Sequence, residues 1–256
     1  MIDQLNGLKI LNTRPLFAGG NQQLSAKISA LGGKVISLPL QDIQGIPKEQ
    51  WLSQLPTWSE IDKIIFVSRP AAHFFFQAID ASVWPSHIQT IAIGSATAKT
   101  IEDFNIPVSY FCTDASSEAL IQSCCFQNIT KHHVVLIKGP HGRTLLGEHL
   151  KKQHTSVIEL NIYHSIPIEY SEKELDFLWE HDAVDIILIS SEQALNHFLK
   201  CLPQMGLDWL QQKALLVFSE RIKKIAEKTL VCPIFLTSHH RIIDTLYQLQ
   251  GLKHES

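Results

Sequence analysis

The chain has 256 residues, of which 45% are hydrophobic and 18% charged, so it can bury a sizeable core and is not a disordered protein. Lys and Arg total 22 and Asp and Glu total 25, and the net charge of −3 excludes a broadly basic surface for nucleic acid or anionic membrane. No apolar run approaches the roughly 20 residues that span a bilayer, and no basic and apolar leader opens the sequence, so a cytoplasmic protein is expected.

Short β-branched runs alternate with longer stretches of helical period, a pattern typical of βα units around parallel sheets. The predicted strands are Lys9–Asn12, Lys34–Leu38, Lys63–Val67, Thr90–Ile93, Val134–Lys138, Val157–Ile162, Asp185–Ser190, Ala214–Phe218 and Cys232–Leu236. The predicted helices are Asn21–Leu31, Ala71–Ala81, Ser95–Phe104, Ser117–Cys125, Arg143–Gln153, Glu172–Glu180, Glu192–Cys201, Glu220–Lys228 and Arg241–Gln250. Most strands are continuously apolar, as expected where helices cover both faces of a sheet.

The two halves of the chain repeat one another. Segment 62–71 matches 185–194 and segment 35–38 matches 157–160, while the turn at Gly94 corresponds to the turn at Ser219. We therefore predict two similar parallel-sheet α/β domains with a cleft between them. A two-segment linker, Pro39–Pro47 and Tyr163–Glu169, would divide the chain into domains 1–40 plus 167–256 and 41–166.

Small polar residues follow the carboxyl ends of most predicted strands, where open α/β sheets bind ligands. A serine or threonine at such a place is usually the N-cap of the next helix. Seven such turns with no acid–base pair nearby instead favour a site lined by hydroxyls and amides that binds a polyanion. The turns are Thr13–Pro15, Ser68–Arg69, Gly94–Thr97, Ser116–Glu118, Gly139–Arg143, Ser190–Ser191 and Ser219–Arg221.

Other kinds of site lack their sequence patterns. The five cysteines include no CxxC pair, the histidine pairs at 132–133 and 239–240 are adjacent, and HExxH is absent, so no metal site is predicted. The segment 138–143 contains two glycines but is neither a P-loop nor a dinucleotide fingerprint, and no GxSxG elbow occurs. Arg143 could hold a carboxylate or could be a solvated arginine in an ordinary turn.

The motifs LNTRP, IIFVSRPAA, IAIGSATA, SSEAL, VVLIKGPHGRTLLGEHL, ELNIYHS, DIILISSEQAL and ALLVFSERIKKIA, in this order, resemble the uroporphyrinogen-III synthase family over nearly the whole chain. The resemblance implies a cofactor-free lyase of tetrapyrrole and heme biosynthesis. Its substrate would be hydroxymethylbilane, a linear tetrapyrrole with eight carboxylates. The implied reaction is a dehydrating cyclisation that inverts ring D through a spiro intermediate and gives uroporphyrinogen III.

The resemblance also implies site residues. Tyr163 would assist departure of the hydroxyl group, because a phenol with a pKa of about 10 stays protonated and can donate a hydrogen bond. A tyrosine packed at a domain junction is the alternative. The implied substrate-binding residues are Thr13, Arg14, Ser68, Ser95, Thr97, Ser117, Lys138, Gly139, Arg143, Ser190, Ser191 and Ser219. Lys138 stands where the family frequently has arginine, and it lacks the bidentate fork of that residue.

Two other interpretations stay open from the residues alone. A non-catalytic two-domain sensor could close around a tetrapyrrole or another polyanion, although the α/β pattern fills the chain and leaves no segment for DNA binding. A sugar-nucleotide transferase would need a nucleotide-binding glutamate. For the synthase, we expect a monomer that receives its substrate from hydroxymethylbilane synthase.

Overall fold

The structure is a computed structural model that describes residues 5–113, 116–127, 129–140, 144–238 and 241–254, with side chains to residue 251. The chain divides into two compact units. The first unit comprises Met1–Asp42 and Ile166–Ser256, and the second unit comprises Ile43–Ser165. The predicted domain boundaries fall within two residues of this division, and the assignment of each unit as a domain stays a prediction.

The described residues form twelve strands and eleven α-helices. The strands are β1 (Lys9–Asn12), β2 (Lys34–Ser37), β3 (Gln41–Gly45), β4 (Lys63–Phe66), β5 (Gln89–Ala92), β6 (Tyr110–Phe111), β7 (His133–Lys138), β8 (Ser156–Asn161), β9 (Tyr163–Pro167), β10 (Ile186–Ile189), β11 (Ala214–Val217) and β12 (Ile234–Leu236). The helices are α1 (Gly20–Ala30), α2 (Arg69–Ala78), α3 (Ser95–Glu102), α4 (Ser117–Ile121), α5 (Leu145–Lys152), α6 (Glu172–Leu175), α7 (Phe177–Glu180), α8 (Glu192–Cys201), α9 (Gln204–Leu210), α10 (Glu220–Ala226) and α11 (Ile242–His254). None of these helices is long and apolar enough to cross a membrane.

Each unit contains one five-stranded parallel sheet, and the two sheets share one topology. The strand order is β12-β11-β10-β1-β2 in the first unit and β6-β5-β4-β7-β8 in the second. Ile10 on β1 lies beside Ile186 on β10, and Val134 on β7 lies beside Lys63 on β4. The central strands therefore correspond one to one, which confirms the prediction of two similar parallel-sheet α/β units.

Both faces of each sheet are buried, which explains the continuously apolar strands. On β10, Ile187 and Ile189 pack into one cluster of buried side chains, and Ile186 and Leu188 pack into another. Successive side chains of a strand point to opposite faces of the sheet, so every residue of such a strand must be apolar. In the second unit Phe66 and its neighbours on β4 divide between two clusters in the same way.

The two segments of the predicted linker, Pro39–Pro47 and Tyr163–Glu169, contain strands β3 and β9. β3 and β9 make up a separate two-stranded sheet. Its ends are marked by hydrogen bonds from the Ile46 N–H to the Ile162 carbonyl and from the Ile168 N–H to the Leu40 carbonyl. Because the two linker segments run side by side as extended chain, their backbone N–H and carbonyl groups hydrogen-bond to one another.

Two helical predictions differ from the structure, and one helix was not predicted. The helix predicted at Ser117–Cys125 ends at Ile121, where the Ser123 hydroxyl bonds the Leu120 carbonyl and a 3₁₀ turn follows. The helix predicted at Glu172–Glu180 is interrupted between α6 and α7, and α9 was not predicted. The predicted start of α5 at Arg143 lies outside the described residues.

Candidate active site

The hydroxyl of Tyr163 lies beside the start of helix α2 in the second unit. Tyr163 is the first residue of β9, and Ser68 follows strand β4 as the N-cap of α2. The Ser68 hydroxyl accepts a hydrogen bond from the Ala71 N–H (3.2 Å) and donates one to the Tyr163 hydroxyl (3.0 Å). A serine that would cap a helix in any case thereby also orients the phenol.

The Tyr163 ring occupies a narrow slot between two groups of the second unit. On one side, a Cβ added at Gly139 would lie 2.8 Å from the ring's Cζ and 3.1 Å from its hydroxyl. On the other side, the Phe74 ring stacks at a centroid distance of 6.5 Å and an interplanar angle of 25°. A Cβ added at Gly45 would in turn lie 2.6 Å from Cδ1 of Phe74. The two glycines therefore leave the space in which both rings fit.

Burial raises the pKa of Tyr163 above its usual value of 10, and the hydrogen bond from Ser68 opposes the shift without reversing it. The phenol is therefore protonated at neutral pH. Because its oxygen already accepts the Ser68 hydrogen bond, its own proton can serve a second acceptor. A half-buried, oriented hydroxyl of this kind can donate a hydrogen bond to a leaving group.

The first unit contains a matching serine with a different partner. Ser191 caps α8 by accepting a hydrogen bond from the Ala194 N–H (3.0 Å), and its hydroxyl donates to Oε1 of Gln41 (2.8 Å). Gln41 is buried at the first position of β3, and its amide also bonds Gln193 (3.2 Å). Sequence reasoning did not single out Gln41. The offset of 122 residues between Gln41 and Tyr163, the same as that of the strand repeat, was the available signal.

Several predicted residues lie at the carboxyl ends of the strands with their side chains at least partly exposed: Arg14, Ser68, Ser95, Ser190, Ser191 and Ser219. Ser219 caps α10 through the Ile222 N–H (3.3 Å), as a routine N-cap does. The guanidinium carbon of Arg14 lies 6.0 Å from the centroid of the Phe218 ring. The helix α3 begins after Gly94, which offers no side-chain cap.

Four predicted binding side chains are buried in the described structure, and their contact with substrate stays a prediction. Thr13 donates from its hydroxyl to the Leu188 carbonyl, and Thr97 is packed within α3. At α4 the preceding serine supplies the cap, and Ser117 turns inward. The side chain of Lys138 is only 6% exposed.

The charge of Lys138 is neutralised inside the second unit. Its ammonium lies 2.9 Å from Glu159, whose other oxygen lies 2.8 Å from the ammonium of Lys151. Burial would raise the pKa of Glu159, but hydrogen bonds from the two lysines outweigh it and hold that pKa below its usual value. Gly147 makes room for this carboxylate, since a Cβ there would lie 2.6 Å from its Oε1. Lys138 thus stabilises the fold rather than an open anion site.

Arg143 lies outside the described residues, as does most of its glycine-bearing turn. Gly139 is described and buried, and its role is to admit the Tyr163 ring. The sequence therefore predicted that Gly139 lies near the site. In the structure Gly139 leaves space for the Tyr163 ring, and its contact with substrate stays a prediction. Phe74 and Gly45, which complete the slot, were not predicted, because their relation to Tyr163 depends on the pairing of β3 with β9.

Two parallel-sheet α/β units with polar helix caps at the strand ends, and a half-buried phenol at one of them, define the fold class as α/β. The family model described as uroporphyrinogen-III synthase HemD matches residues 22–244. The uroporphyrinogen-III synthase of Salmonella typhimurium is 30% identical over 228 residues, which cover 86% of this chain and 91% of that protein. The synthase of Escherichia coli is 28% identical over 226 residues, with the same coverage.

Solved structures agree at the level of the fold. A mutant uroporphyrinogen III synthase from Thermus thermophilus matches with a TM-score of 0.62 and 15% identity, covering 97% of this chain and 98% of that one. The Helicobacter pylori uroporphyrinogen-III synthetase matches with a TM-score of 0.61 and 13% identity, covering 96% and 99%. The chain belongs to the uroporphyrinogen-III synthase family and is an enzyme. No match supports the sensor interpretation.

Proposed function

We propose that this chain converts hydroxymethylbilane to uroporphyrinogen III and water, with inversion of ring D through a spiro intermediate. Membership of the family supports the reaction, and the half-buried Tyr163 hydroxyl held by Ser68 is the observation that carries the mechanism. The overall change is the loss of one water and the closure of one ring. It is redox-neutral, so it calls for no oxidant or reductant.

The first step is departure of the hydroxymethyl oxygen. The C–O bond breaks with its electron pair leaving on oxygen, and a proton completes the water molecule. Tyr163 donates the hydrogen bond that makes this oxygen a better leaving group, since its pKa is high and its proton is not used by Ser68. The electron-poor azafulvene that remains is then attacked by the substituted carbon of ring D, which forms the spiro intermediate. The bond between this carbon and its original methylene bridge breaks, and the freed bridge carbon bonds to the unsubstituted carbon of ring D. That carbon then loses its proton, which gives the type III isomer.

Control of geometry supplies the rest of the catalysis. Unassisted closure joins the unsubstituted carbon and gives the type I isomer, so the enzyme must hold ring D with its substituted carbon facing the azafulvene. We assign the binding of substrate carboxylates to the exposed polar groups at the strand ends, notably Arg14, Ser95 and Ser190. Hydroxyls and backbone amides at helix starts suit anions without requiring a net basic protein.

The cellular setting follows from the lability of the substrate. Hydroxymethylbilane closes spontaneously to the wrong isomer, so prompt transfer from hydroxymethylbilane synthase favours the correct product. We propose a cytoplasmic monomer in which each unit is a domain, and the family's activity is that of a hydro-lyase.

An isomer-resolved assay tests the proposal. The purified chain is mixed with freshly generated hydroxymethylbilane, the products are oxidised to porphyrins, and the type I and type III isomers are separated by chromatography. We expect type III to dominate and to form faster than type I forms without protein. Type I alone, at the rate of the protein-free reaction, would overturn the proposal.

A further inference from the structure

Three potential metal ligands meet in the first unit, in a region that the proposed reaction does not use. They are Glu169, His197 and Cys201, and one ligand atom from each lies within 4.8 Å of the other two. His197 and Cys201 are four residues apart on α8, so they project from one face of that helix. Glu169 lies in the segment that follows β9.

The imidazole of His197 is already held as a metal-binding imidazole usually is. Its Nε2 lies 2.8 Å from the Ile168 carbonyl, an acceptor, so Nε2 carries the proton and Nδ1 presents a lone pair. Metal-ligating histidines commonly donate their second N–H to a carbonyl, which fixes both tautomer and ring orientation. His197 is buried, so this orientation is maintained.

The distances suit a zinc-sized ion. Zinc bonds of about 2.3 Å to sulfur and 2.0–2.1 Å to nitrogen at a tetrahedral angle place the two ligand atoms about 3.6 Å apart. Cys201 Sγ lies 3.9 Å from Nδ1 of His197 and 3.4 Å from its Nε2. A small rotation of the cysteine side chain toward Nδ1 completes the arrangement. Glu169 is exposed, so an ion can reach the cluster from solvent.

The electrostatics of the cluster also favour a cation. The Glu169 carboxylate lies within 4.8 Å of the Cys201 sulfur. A divalent ion would replace the repulsion between carboxylate and thiolate by attraction to both.

We infer that Glu169, His197 and Cys201 form a divalent-metal site of the zinc class, with a fourth position open to water. Nitrogen, sulfur and carboxylate ligands together suit Zn²⁺ rather than Mg²⁺ or Ca²⁺. The ion would fasten α8 to the segment that follows β9. This inference revises the expectation of no metal site, which weighed adjacent histidines and HExxH but not a His-x₃-Cys pair with a glutamate 28 residues before it.

Cobalt(II) provides a direct test, because a Co²⁺–thiolate bond absorbs strongly in the near ultraviolet. The full chain is treated with chelator, freed of it and titrated with Co²⁺. We expect a near-ultraviolet band that saturates at one equivalent and disappears when Zn²⁺ is added. Cys201→Ser should abolish the band, and Glu169→Gln should weaken Co²⁺ binding by at least about tenfold.

Two controls keep the test decisive. Cys124→Ser removes an exposed thiol elsewhere in the chain and should leave the band unchanged. Zn²⁺ should raise the Tm of the unsubstituted chain but not that of Cys201→Ser, since only a folded-state ligand stabilises the fold. If Cys201→Ser does not fold, the Co²⁺ affinity of Glu169→Gln, a substitution at an exposed residue, decides whether the inference holds. The absence of a near-ultraviolet band in the unsubstituted chain, or a band that Glu169→Gln leaves at full affinity, would overturn the inference.

Discussion

The two units place a serine–side-chain pair at the same point of the same fold but give it different chemistry. Ser68 and Ser191 each cap the helix after a central strand, and each donates to the first residue of β9 or β3. The distances are 3.0 Å to the Tyr163 hydroxyl and 2.8 Å to the Gln41 amide oxygen. One scaffold thus carries a phenol in one copy and an amide in the other.

The difference indicates where a proton can be donated. A phenol has an ionisable O–H, whereas the side chain of Gln41 has no ionisable proton. The cap geometry alone therefore cannot account for catalysis, because both units have it. Under the proposed mechanism, the second unit therefore supplies the hydrogen-bond donor, and the pair in the first unit has no such role.

A second contrast concerns the cations at the ends of β1 and β7. Arg14 and Lys138 follow equivalent positions, since Ile10 and Val134 correspond in the two sheets. Arg14 is half-exposed near the Phe218 ring, whereas Lys138 is buried against Glu159. The same strand end therefore carries a half-exposed cation in the first unit and a buried, paired cation in the second.

Filling the slot should have the largest effect. In Gly139→Ala the new methyl group would lie under 3 Å from the Tyr163 ring and would push the hydroxyl away from Ser68. A displacement of this kind costs about 100-fold in kcat, and the crowding costs about 1–3 kcal/mol of stability. Steady-state kinetics and thermal unfolding measure both.

A matched control for the slot is Gly251→Ala, where the added Cβ would have no heavy atom within 4 Å. It should keep full activity. Wild-type kcat in Gly139→Ala would show that the position of the Tyr163 ring does not matter.

Removing the carboxylate that pairs with Lys138 should have a smaller effect, on stability. Glu159→Gln removes the negative charge that pairs with the buried ammonium of Lys138. We expect the free energy of unfolding to fall by about 1–2 kcal/mol at pH 7. This is less than for a fully buried ion pair, because Glu159 is partly exposed to solvent. The pKa of Glu159 is lowered in the folded chain, so its stabilisation is present above the unfolded pKa near 4.5 and is lost as the pH falls through the folded value.

Urea unfolding at pH 7 and below pH 4 should therefore show a smaller pH dependence in Glu159→Gln than in wild type. Glu192→Gln serves as a surface comparison in the first unit. Glu192 pairs with exposed Arg221, and this ion pair should contribute less than about 1 kcal/mol to the free energy of unfolding. If the two variants lose equal free energy of unfolding, the ion pair of buried Lys138 is no more stabilising than the ion pair of exposed Arg221.

The serine caps should show the smallest effects, and these sharpen the comparison. Ser68→Ala and Ser191→Ala each remove one N-cap and should each cost about 1 kcal/mol of stability. Only Ser68→Ala should also lower kcat, by about fivefold, since it frees the Tyr163 hydroxyl from its orienting partner. Equal kcat values for the two variants would contradict a special role for the second unit.

Much of this arrangement could be predicted from local sequence. The apolar strands, the serine caps and the repeat are encoded within short segments, because burial on both sheet faces and helix capping act locally. The Ser68–Tyr163 contact joins residues 95 apart, and the slot beside Phe74 depends on how β3 pairs with β9. Sequence periodicity carries no information on that pairing.

The sequence motifs also could not predict which polar side chains are buried. Lys138 follows an apolar strand, like Arg14, and only the proximity of Glu159 on β8 makes it a core residue. Thr13 likewise has a hydroxyl at a strand end, but its partner is the Leu188 carbonyl on the neighbouring strand. Such partners lie far away in the chain, so residue type alone could not separate a ligand contact from a core contact.

The most direct test of the account is Tyr163→Phe in the isomer-resolved assay. The substitution keeps the ring in its slot and removes only the hydroxyl, so KM and Tm should stay close to wild type. Tyr170→Phe, which removes a hydroxyl bonded to the Pro39 carbonyl in the first unit, is the matched control. The account predicts that kcat for type III formation falls about 100-fold in Tyr163→Phe and not in Tyr170→Phe. Wild-type kcat in Tyr163→Phe would contradict it.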